Sequence, residues 1–73
     1  MLLIYNDLMF YKMLKRLRME NGLSQVELAE QLGVSNQNIS DWENRKCETD
    51  FEMAIKIATF FGVTVGQLLG SED

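Results

Sequence analysis

The chain has no histidine, no proline and a single cysteine, Cys47, and its longest apolar run is the five residues Met1 to Tyr5. Without histidine, neither a Ser-His-Asp nor a Cys-His nucleophile can be assembled, and histidine-based metal sites are excluded with them. One thiol rules out a disulfide framework and a cysteine-rich zinc site. Five apolar residues are too few for a membrane span or a secretory core, and no basic segment precedes them, so the sequence reads as a mature intracellular chain. Basic residues are also scarce: 7 Lys and Arg stand against 11 Asp and Glu, a formal charge of −4. Nucleic-acid binders are usually basic, so the overall sign counts mildly against one.

What is present is ordinary globular material. Of 73 residues, 47% are apolar and 25% charged, which predicts one folded domain over 1–73. Within it, 1–6 form an apolar extension and 71–73 a frayed tail. The charge is unevenly placed. Six basic and six acidic residues cancel over 1–47, whereas 48–73 carry five acids against Lys56 alone. An anionic partner is therefore expected at the first two thirds of the chain.

Three short segments share one pattern: Gly22-Leu23-Ser24, Gly33-Val34-Ser35 and Gly62-Val63-Thr64. Glycine adopts the left-handed conformation that ends a helix, the apolar residue packs back, and Ser or Thr caps the next helix. Ser24 with Glu27, Thr64 with Gln67 and Thr49 with Glu52 have capping-box spacing. The sequence thus predicts an all-α, compact five-helix bundle. Its helices are expected near 7–21 (with Asn6 as a possible cap), 25–32, 36–44, 50–61 and 65–69. Apolar periodicity assigns Phe10, Leu14 and Leu17 to the core from the first helix. Leu28, Ala29 and Leu32 follow from the second, and Ile39 and Trp42 from the third. The fourth offers Phe51, Ala54, Ile55, Ala58 and Phe61. The five methionines read as packing residues, and Cys47 as a tolerated loop residue.

The second and third helices are separated only by Gly33, Val34 and Ser35, a link short enough to force the sharp crossing of a helix-turn-helix. The third helix turns Ile39 and Trp42 one way and Gln37, Ser40, Asp41 and Asn44 the other, with Asn36 and Asn38 alongside. Amides are poor helix formers, yet they suit bidentate pairing with adenine, and a carboxylate accepts from cytosine N4. The face is either a DNA-reading surface or a plain polar one.

From Leu14 to Gly70 the chain resembles the Cro/phage-repressor (XRE-type) helix-turn-helix family of transcriptional regulators. The resemblance is carried by Leu17-Arg18, Gly22-Leu23-Ser24-Gln25, Glu27-Leu28-Ala29, Leu32-Gly33-Val34-Ser35, Ile39-Ser40 and Trp42-Glu43, then by Ile57-Ala58, Phe61-Gly62-Val63 and Leu68-Leu69-Gly70. It implies a lambda-repressor-like DNA-binding fold. It also implies base-reading positions at Asn36, Gln37 and Asp41. DNA-backbone contacts are implied at Ser24, Gln25, Ser35, Asn38, Ser40, Asn44, Arg45 and Lys46. Arg18 and Glu43 match a paired Arg and Glu that tie the first helix to the end of the third. The chain departs from the family pattern at Arg45, where glycine is common, and at Thr49, where proline is frequent. Asp41 adds negative charge to the reading face and either selects cytosine or rejects DNA.

The expected partner is double-stranded DNA, bound by a homodimer with Val65, Leu68 and Leu69 at its interface and help from Leu2, Leu3, Ile4 and Tyr5. No catalysis, metal, cofactor, small-molecule ligand or membrane is expected, and the location is cytoplasmic, at the nucleoid. Lys12, Lys15 and Arg16 either extend the phosphate footprint or merely solvate the first helix. The competing function is a helix-turn-helix protein-interaction module, of antitoxin or antirepressor type, whose acidic surface engages a protein instead of DNA.

Overall fold

Glycine and Ser/Thr punctuation cuts the chain where the sequence predicts. The computed structural model describes residues 7–69, with side chains from Phe10 onward. It contains α1 (Asp7–Glu20), α2 (Gln25–Leu32), α3 (Asn36–Glu43), α4 (Phe51–Phe61) and α5 (Val65–Leu69), with no strand among the described residues. The Asn6 cap, the apolar extension and the frayed tail lie outside the described residues. None of the described helices is long and apolar enough to cross a membrane.

The helix ends follow one hydrogen-bond scheme. After α1, α2 and α4, the N–H groups of Leu23, Val34 and Val63 return to the carbonyls of Arg18, Ala29 and Ala58, each at 3.0 Å. All three apolar residues pack against the core, so each turn is anchored twice. Gly33 illustrates why glycine stands there: its φ of 73° is one that a β-carbon disfavours. On the N-terminal side, Ser24 and Thr64 complete reciprocal boxes with Glu27 and Gln67. Ser35 accepts from the Asn38 N–H at 3.1 Å. The expected Thr49–Glu52 box does not form. Asp50 caps α4 by accepting from Met53 N–H at 2.8 Å, and the Thr49 hydroxyl is buried without a hydrogen-bond partner. Asp is the stronger cap of two adjacent candidates, and helix α4 starts one residue later in consequence.

All five helices contribute to one core. Phe10, Leu14, Leu28, Leu32, Ile39, Ile57 and Leu68 are fully buried, and the Phe10 ring meets Trp42 edge-on at 6.5 Å. Helix α2 packs on α3 and α4, and α1 packs on α3 and α5. One expectation is corrected here. In α4, Phe51 and Ile55 are 67% and 42% exposed, and Ile57 takes the core position. The apolar stripe is rotated because α4 must face both α2 and α5. In α5, Leu68 and Leu69 are 0% and 8% exposed and Val65 packs against the same core. Leu68 and Leu69 therefore fill the domain's own interior, and of the three residues expected at a dimer interface Val65 keeps the most exposed surface.

Candidate nucleic-acid interface

The three-residue link between α2 and α3, with Gly33 in the left-handed conformation, sets α3 across α2 and against α1. Ile39 and Trp42 anchor α3 from below. Its far end is held by an ion pair. Arg18 donates from Nε to Glu43 Oε2 at 2.7 Å and from Nη2 to Oε1 at 3.0 Å, a two-pronged contact. The third guanidinium nitrogen, Nη1, donates to the Leu23 carbonyl at 2.9 Å. The Glu43 side chain is only 3% exposed, and the Arg18 side chain 12%. Hydrogen bonding to Glu43 raises the Arg18 pKa further, against the opposing effect of burial. A raised cationic pKa supports the fold below the group's ordinary value and fails only above it. Arg18 therefore stays charged at every pH a cell experiences.

Gln25 extends this network. Its Nε2 donates to Glu43 Oε1 at 3.1 Å, joining the first turn of α2 to the last turn of α3. That bond uses one of two amide hydrogens. Ser24, at the same end of α2, is occupied as a cap. Of the backbone-contact candidates, Gln25 thus touches Glu43, Ser24 directly precedes Gln25, and Arg45 and Lys46 follow Glu43 by two and three residues along the chain. Asn36, Gln37 and Asn38 are exposed at the opposite end of α3. Asp41 is half-buried and accepts from Gln37 Nε2 at 2.8 Å. The candidate base-reading residues share one solvent-facing side, away from Ile39 and Trp42.

Two of the backbone-contact candidates make local arrangements of their own. Asn44 turns back on its own helix, with Nδ2 donating to the Ser40 carbonyl at 2.9 Å and to Ser40 Oγ at 3.3 Å. The Asn44 amide donor is thus engaged at the helix end, with Ser40 as its acceptor. Arg45 occupies the left-handed position, with φ of 60°, where the family commonly has glycine. The hydrogen bonding of a glycine stop is kept: Arg45 N–H donates to Trp42 O at 3.3 Å and Lys46 N–H to Asp41 O at 2.8 Å. A β-carbon there costs roughly 1–2 kcal/mol. The arginine therefore holds its place despite local strain.

Tyr11 was not singled out by the sequence, yet its ring lies 5.4 Å below the Arg45 guanidinium. Helical spacing contains the clue. Tyr11 precedes Arg18 by seven residues, so the stripe that delivers Arg18 to Glu43 delivers Tyr11 to the loop two residues later. Comparing Arg45→Gly with Arg45→Ala separates strain from charge. Both lose the guanidinium, but the glycine variant should be more stable by about 1 kcal/mol in urea unfolding. Equal midpoints would show that the backbone at 45 is not strained.

With the geometry in place, the helix-turn-helix family profile matches residues 14–68, from α1 through α5. The chain belongs to the XRE-type helix-turn-helix family. This is a family of DNA-binding transcriptional regulators and not of enzymes. The chain is similar to the HTH-type transcriptional activator BcrR of Enterococcus faecalis, 42% identical over 64 residues covering 88% of the chain, but it spans only 31% of that relative's length. It is 42% identical over 60 residues to an uncharacterized HTH-type transcriptional regulator, MJ0272, of Methanocaldococcus jannaschii, covering 82% of this chain and 91% of that one. Among solved structures, it is similar to the hypothetical transcription factor NHTF from Neisseria, with a TM-score of 0.80 and 28% identity over 86% of this chain and 72% of that one.

Proposed function

We propose that this XRE-type regulator binds a two-fold symmetric DNA operator as a homodimer and represses transcription by occupying the promoter. The observation that carries the reading is the exposed row on α3, Asn36 and Gln37 with the half-buried Asp41, on a helix clamped by Ile39, Trp42 and the Arg18–Glu43 pair. Such a helix reaches its operator already shaped, so little ordering entropy opposes binding. Eight residues in one major groove read only a few base pairs. Two copies on half-sites about 10–10.5 bp apart supply the remaining affinity and selectivity. Arg45, Lys46 and the first turn of α2 face the phosphates beside the groove. The direction of regulation follows from where the operator lies, since the reading helix is indifferent to it. The Enterococcus relative, which is named as an activator, fits the same principle. The site of action is the nucleoid, in the cytoplasm.

Selection from a random duplex library with purified protein tests this. A palindrome with that spacing is the expected result. Replacing Asn36 and Gln37 together by alanine should lower affinity about a hundredfold, at about tenfold per lost base contact. Affinity should fall as salt rises, with a slope that corresponds to roughly two to four counterions released per subunit. If the folded protein enriches no sequence at low salt, the reading fails and a protein partner takes its place.

A further inference from the structure

Gln37 and Asp41 stand one turn apart on the outer side of α3, joined by the 2.8 Å bond from Gln37 Nε2 to Asp41 Oδ1. A carboxylate only accepts hydrogen bonds, whereas an amide has a donating and an accepting end. The bond therefore gives the Gln37 amide one polarity: turning it over would set Oε1 against a carboxylate oxygen. What the pair then shows to solvent is an ordered series. Gln37, which is exposed, presents a carbonyl acceptor and its second N–H, and the half-buried Asp41 keeps a further acceptor in its other carboxylate oxygen.

Base edges in the major groove differ in how they meet that series. Adenine offers the N6 donor and N7 acceptor that match the carbonyl and N–H of Gln37. Cytosine offers the N4 donor that a carboxylate accepts, while guanine and thymine oppose it with acceptors. Four residues of helix advance about 6 Å, against about 3.4 Å per base step, so the two side chains address pairs one or two steps apart.

We infer that Gln37 and Asp41 form a single reading unit, in which Asp41 fixes the Gln37 amide for adenine and itself selects cytosine within two steps. The inference rests on the proposed DNA-binding function and adds the composition of the half-site. Its distinctive consequence is coupling. Changing residue 41 must alter preference at the base read by residue 37, because an asparagine partner accepts either amide orientation.

Duplex selection with wild type, Asp41→Asn and Gln37→Ala, each verified as folded by thermal unfolding, reads this directly. Wild type should enrich adenine and cytosine within two steps. Asp41→Asn should lose the cytosine preference about tenfold and also broaden the adenine position. Gln37→Ala should lose the adenine preference and keep the cytosine one. A wild-type site without that pair, or an adenine position untouched by Asp41→Asn, overturns the unit while leaving DNA reading intact. Failure of wild type to enrich any sequence instead removes the proposed function on which the inference stands.

Discussion

Arg18→Ala should come close to unfolding the domain, whereas Lys15→Ala, one turn earlier on the same helix, should be nearly silent. Glu43 is buried, and removal of its cation leaves an uncompensated charge with a cost of about 3–5 kcal/mol. The same substitution strips the Leu23 carbonyl of its donor. A chain of 73 residues has about 4–11 kcal/mol of stability in all, so the loss takes a large share of it. Lys15 is exposed and should change stability by less than about 0.5 kcal/mol. Replacing Arg18 and Glu43 together by apolar residues of similar volume should recover much of the loss, because the penalty lies in the orphaned charge more than in the missing attraction. Urea unfolding of the four proteins measures this, and coincident midpoints for Arg18→Ala and Lys15→Ala would refute it.

Leu68→Ala should be as damaging for a different reason. Leu68 is fully buried on a helix of only five residues, which α1 and α4 hold in place. Truncation leaves a cavity costing about 2–5 kcal/mol. Phe51→Ala removes a larger side chain, but one that is mostly exposed, and should cost less than about 0.5 kcal/mol. If Leu68 served a subunit interface, its substitution would instead change the sedimentation of the folded protein and leave the isolated subunit's unfolding intact. Unfolding curves over a range of protein concentrations separate the two outcomes.

These contrasts also show where sequence reasoning stops. The α4 segment contains apolar residues at 51, 53, 54, 55, 57, 58, 60 and 61, which permits two overlapping stripes. Period alone favours neither, and the choice falls to the packing of α4 on α2 and α5, which buries Ile57 and leaves Ile55 exposed. The Leu68-Leu69 pair is equally ambiguous: two apolar residues on a short helix suit an interior or an interface. Packing on α1 and α4 buries both within the domain. Asn44 is a third case, since residue type alone does not tell that its amide bonds back to Ser40. Tyr11 beneath Arg45 and Gln25 against Glu43 are contacts across 34 and 18 residues; helical spacing puts Tyr11 on the stripe of Arg18, but a local pattern names the partner of neither.

Local physics alone settled a great deal. The five helices, their glycine and Ser/Thr boundaries to within a residue, the three-residue helix-turn-helix link and the outward phase of Gln37 and Asp41 all follow from interactions within about four residues along the chain, so the sequence contains both partners of each. The tertiary structure decided which of two apolar stripes becomes core and which polar groups find distant partners. It also decided how an arginine holds a glycine's backbone conformation. Those outcomes depend on where separate helices come to rest, and that is set by the joint filling of one interior by all five.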